Sequence, residues 1–128
     1  MVEENHLKKS RFYFWKEKFA IVKSKRVLRN AFAVVKDRNE ITVIIEQSKL
    51  NKKDVIEMEK DYRIITFDMT LPFGLVGFLS RISKALADQN ISIFTVSAYS
   101  TDHILVKEKD LPSAIRTLRK IGFITESK

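Results

Sequence analysis

Residues 71–86 read Leu71-Pro72-Phe73-Gly74-Leu75-Val76-Gly77-Phe78-Leu79-Ser80-Arg81-Ile82-Ser83-Lys84-Ala85-Leu86, and the period of the apolar side chains changes inside this stretch. Ahead of it, Tyr62–Met69 has the β-branched and aromatic content of a strand. From Leu75 onward, Leu75, Leu79, Ile82 and Leu86 recur at spacings of 4, 3 and 4, the stripe of a helix with one buried face. Phe78 and Ala85 widen that face, whereas Arg81, Lys84 and Asp88 lie off it. The turn between strand and helix holds Gly74 and Gly77, two of the chain's 3 glycines. At the start of a helix, backbone N–H groups have no partner inside the helix, and with the positive end of the helix dipole they favour a carboxylate. The same glycines also serve simply to close the turn and bring the helix near a sheet.

Working outward, Asn90 is placed to end the helix in a left-handed cap. Ile91–Tyr99 reads as a strand, Ser100-Thr101-Asp102 as a turn, and His103–Val106 as the returning hairpin strand. Asp110 is a suitable N-cap for a second helix, in which Leu111, Ile115 and Leu118 share a face. Gly122 stops that helix, and Phe123-Ile124 adds a short closing strand. The order β-α-β-β-α-β over residues 62–125 predicts an α+β, ferredoxin-like unit: four strands in one sheet, with both helices on one face.

The first half predicts mostly β structure. Arg11–Trp15 and Phe19–Val22 read as short strands, and Ala31–Val35 and Ile41–Ile45 as a hairpin about the polar turn at 36–40. Lys49–Lys60 is polar enough for a connector with one helical turn. The aromatic cluster Phe12-Tyr13-Phe14-Trp15 needs a surface to cover, either the open face of the sheet or another copy of the chain.

Composition narrows the function. The longest apolar runs fall far short of the roughly 20 residues that span a bilayer. The N-terminal Met1-Val2-Glu3-Glu4-Asn5 fits no secretory signal, so a cytoplasmic location without membrane association is expected. The absence of cysteine removes disulfides, thiolate nucleophiles and cysteine-based metal sites. The net charge of +8 is concentrated in residues 1–60, with 15 Lys and Arg against 9 Asp and Glu. None of its basic clusters is a run of five, so a solvated surface outweighs a polyanion site. His6 and His103 are far apart in sequence, and no carboxylate pair, Ser/His/Asp set or phosphate-loop spacing is present. An enzyme, a metal site and a bound cofactor are therefore not expected.

Three blocks together resemble the ACT domain: Phe73–Leu79, Asn90–Phe94, and Val96-Ser97-Ala98-Tyr99-Ser100-Thr101-Asp102-His103-Ile104-Leu105-Val106-Lys107-Glu108. More narrowly, the chain is similar to compact proteins carrying two ACT-like units. The resemblance implies an ACT domain over 61–128, preceded by a degenerate, mostly β, ACT-like half over 1–60. It also implies a homodimer or higher homo-oligomer that binds an amino acid or similar small metabolite where units meet, in a regulatory, non-catalytic role.

The implied ligand-binding residues are Phe73, Gly74, Leu75 and Val76 in the glycine turn, and Ser97, Ala98, Tyr99 and Asp102 on the hairpin. Ser97 and Tyr99, one strand period apart, are expected on one face. Asp102 suits a ligand ammonium or guanidinium, or merely its own turn. Two other roles compete with the ligand sensor. One is a purely structural dimerisation module. The other is RNA binding, disfavoured because the central strands lack the aromatic motif of RNA-recognition domains.

Overall fold

The computed structural model describes residues 11–68 and 77–126. Its strands are β1 (Arg11–Phe14), β2 (Phe19–Ser24), β3 (Ala33–Lys36), β4 (Ile41–Glu46), β5 (Val55–Phe67), β6 (Phe94–Ser97), β7 (Asp102–Lys107) and β8 (Ile124–Thr125), and its helices are α1 (Phe78–Ala87) and α2 (Leu111–Lys120). The chain forms two compact units, one from the segment ending at Trp15 together with Ile64 onward, the other from Lys16–Arg63. The long strand β5 contributes its two ends to different units.

The first unit has the expected β-α-β-β-α-β order from β5 to β8, with one addition. β8 does not pair with β5. Instead β1 lies between them, antiparallel to β5 through Phe12↔Phe67 and Phe14↔Ile65, and parallel to β8 through Phe12↔Thr125. Within this unit the expected four strands are thus five, continuing from β5 to β7 and on to β6. The alternation of Phe12-Tyr13-Phe14 explains the insertion. Phe12 is fully buried among Phe67 and Phe123, with ring centroids 6.5 and 6.4 Å away, and Phe14 packs on the same core. Half of the aromatic cluster, Phe12 and Phe14, therefore serves as core.

On α1 the buried positions are Phe78, Ile82 and Leu86, with Leu79 partly buried. The helix begins after Gly77, whose φ of 87° is open to glycine without steric cost. Both helices end alike. Ile91 N–H reaches back to Leu86 C=O and Phe123 N–H to Leu118 C=O, each at 3.0 Å, while Asn90 (φ 62°) and Gly122 (φ 113°) make the left-handed step. Ile91 is consumed by that cap and buried, so β6 starts at Phe94, later than expected. Asp110 is not the side-chain cap expected of it. It closes a 3₁₀ turn in helical conformation, and Pro112 in the first turn of α2 presets the helical φ instead.

In the second unit β3, β4, β2 and the first part of β5 pair antiparallel in that order. Ala20, Val22, Leu28, Val43 and Ile45 form its core. The expected connector 49–60 is only partly a connector. A 3₁₀ turn over Lys52–Asp54 leads directly into β5, whose Glu57, Glu59 and Lys60 are exposed, and that polarity hid the strand. Between Phe19↔Tyr62 and Ile21↔Glu59 the register slips by one residue, the mark of a β-bulge. Asp61 takes φ 64° there and is held by the Gln47 side chain, which accepts from its N–H and donates to Oδ1.

Candidate ligand-binding site

The helix-free face of the first unit follows from strand alternation. Ile65 and Phe67 of β5 and Ile104 and Val106 of β7 point into the helix-covered core. Thr66 and His103 therefore point the other way, as do Tyr13 of β1 and, just beyond the strand, Trp15. Here a polar chain links three segments. Trp15 Nε1 donates to Thr66 Oγ1 at 2.8 Å, Thr66 Oγ1 lies 2.8 Å from His103 Nδ1, and His103 Nε2 lies 3.3 Å from Thr101 Oγ1. Thr66 is only 2% exposed, so its hydroxyl depends on these partners. Burial lowers the His103 pKa from its ordinary 6.5, against an opposing pull from Asp102, and favours the neutral imidazole. Both ring nitrogens are tethered, which fixes the ring beside the hairpin turn.

By the same alternation the predicted Ser97 and Asp102, in phase with Ile104, belong to the opposite face of the hairpin from His103. Ser97 and Asp102 face each other at the end of the β6–β7 ladder. Ala98 N–H closes the turn on Thr101 C=O at 2.8 Å, and Tyr99 stands at its tip, 87% exposed. The strand stops at Ser97, so the alternation expected to set Tyr99 on the same face does not extend to it. The predicted turn residues Phe73, Gly74, Leu75 and Val76 lie outside the described residues. Nothing local in the sequence joins His103, Thr66 and Trp15 into a site. Their only signal was a polar or amphipathic residue at off-core positions of three distant segments.

Chemically, the hairpin end offers a hydroxyl and a carboxylate paired at Ser97 and Asp102, an exposed aromatic ring at its tip and, on the other face of the strand, an oriented imidazole, groups suited to polar contacts with a small molecule. Among the described residues no group of three or more His, Asp or Glu is placed to hold a metal ion. No helix among them is long and apolar enough to cross a membrane.

The ACT domain family model matches residues 57–120, which contain the end of β5, both helices and the β6–β7 hairpin. This chain belongs to the ACT-domain family. It is 43% identical over 53 residues to the human putative protein CASTOR3P, a match that takes in 41% of this chain and 32% of that protein. The matched part is thus about a third of that relative's length. An ACT-type fold recurs at lower identity in solved structures. A protein from Agrobacterium tumefaciens superposes with a TM-score of 0.81 at 16% identity, covering 94% of both chains. The ligand-free regulatory subunit of aspartate kinase from Thermus thermophilus gives 0.63 at 6% identity, covering 86% of this ACT chain and 95% of that one. At such identities the likeness shows the fold.

Proposed function

We propose that this ACT protein is a non-catalytic regulatory module that binds an amino acid or similar small metabolite. The ligand would sit at an interface between ACT units of two copies of the chain, in the cytoplasm. The observation that carries this reading is the family match across the β6–β7 hairpin, where Asp102 stands opposite Ser97. In this reading Asp102 takes the ligand ammonium or guanidinium through a charge-assisted hydrogen bond. Ser97, Ala98 and Tyr99 line the same end, and the backbone of Phe73–Val76 takes the carboxylate.

The test is a thermal-shift screen of the purified chain against the twenty amino acids. A ligand at about a hundred times its dissociation constant adds roughly 2.7 kcal/mol, a rise of several degrees. A hit lost in both Asp102→Ala and Gly74→Val supports the reading. No shift with any amino acid, while the melting transition stays cooperative, overturns it.

A further inference from the structure

The second unit brings together two basic stretches that are remote in sequence, Lys23–Arg29 and Lys49–Lys53. The anchor is Asp54. Its backbone carbonyl accepts from Lys25 N–H at 2.8 Å and Ser24 Oγ at 3.3 Å. Its carboxylate, with the side chain only 7% exposed, accepts from Arg26 Nε at 2.8 Å and Nη2 at 3.3 Å. The Arg26 hydrogen bond holds the Asp54 carboxyl below its ordinary pKa against the opposing effect of burial, with Lys53 and Lys25 adding to the pull. Around this pair opens a cleft of about 340 Å³, walled by Arg26, Arg29, Asn30, Lys49 and Asn51, with Leu28 from the unit's core among its lining.

The Asp54 carboxylate is thus committed to Arg26, while Arg29 and Lys49 line the cleft beside it, Lys49 also lying 4.0 Å from Glu46 Oε1. The two-point pairing fixes the guanidinium plane, while 62% of the Arg26 side chain stays exposed to present its remaining N–H groups. An oriented guanidinium flanked by a second Arg, a Lys and amide side chains is a receptor for a multiply charged oxyanion. The concavity is of small-molecule size. A nucleic-acid surface would instead spread its cations along a track of successive phosphates.

We infer that this cleft binds the phosphate group of a small phosphorylated metabolite, at a site separate from the hairpin and independent of the amino-acid reading. The experiment is an amide NMR titration of the full chain with inorganic phosphate and with pyrophosphate, ionic strength being held constant with sodium chloride. Saturable shifts confined to residues 25–30 and 49–54 are expected. Arg29→Ala and Lys49→Ala, both at exposed positions, each weaken binding about tenfold. Arg26→Lys, which keeps the charge but loses the fork, also weakens it. Non-saturating shifts that sodium chloride alone reproduces overturn the inference, as does unchanged affinity in both alanine variants. An oligonucleotide that saturates these amides while phosphate and pyrophosphate do not would replace the small ligand with nucleic acid.

Discussion

Phe12→Ala is the sharpest test of how the ACT unit is completed. Phe12 is fully buried, and β1 links β5 to β8 through its backbone on both sides. A phenylalanine ring buries about 150–250 Å², which at about 25 cal/mol per Å² is worth roughly 4–6 kcal/mol as an upper bound. The retained Cβ and partial collapse of the cavity lower this, and Phe→Ala core substitutions typically cost about 3–5 kcal/mol. The edge contact with Phe123 and the tilted one with Phe67 are lost as well. The expected loss is therefore about 4 kcal/mol, a drop in Tm of more than about 10 °C. Urea unfolding followed by circular dichroism measures it, with Val35→Ala on the 58% exposed position of β3 as a control that stays below about 1 kcal/mol. A fragment beginning at Asp61 should likewise fail to fold cooperatively, because β8 loses its ladder partner. If Phe12→Ala costs less than about 1 kcal/mol, or if the fragment folds as well as the whole chain, β1 is not part of this core.

Two further outcomes follow from the same geometry. The folded-state pKa of His103 is lowered, so the unfolded chain binds its proton first as pH falls. The stability contributed by the neutral ring is present above the ordinary value of 6.5 and declines as pH drops below it. The urea midpoint of the native chain should therefore fall between pH 7.5 and 5.5, and His103→Gln should flatten that slope. An equal slope in the variant assigns the titration to another group. Asn90→Ala should destabilise by about 1 kcal/mol, because alanine resists φ 62°, whereas Asn90→Gly should not. Equal thermal stability of the two variants would show that the left-handed step at Asn90 contributes nothing.

Features carried by near neighbours in the chain were legible in the residues themselves. The helical stripe ending in Ile82 and Leu86, the left-handed stops at Asn90 and Gly122, and the hairpin about Ser100–Asp102 each depend on side chains within a few positions of one another. Their periodicity and turn chemistry are local properties. The pairing of β1 with β5 and β8 is different. Any half-apolar strand fits several partners, and what selects the place of Arg11–Phe14 is the gap that Phe67 and Phe123 leave, more than fifty residues away. The strand in 55–60 was obscured because its side chains mostly face solvent and its partnership with β2 resides in backbone hydrogen bonds that composition does not record. The Trp15–Thr66–His103 chain and the cleft that Arg26, Arg29 and Lys49 line beside Asp54 are likewise products of tertiary structure. Hydrogen bonds and charges act over a few ångströms, and only the folded backbone brings residues so distant in sequence within that range.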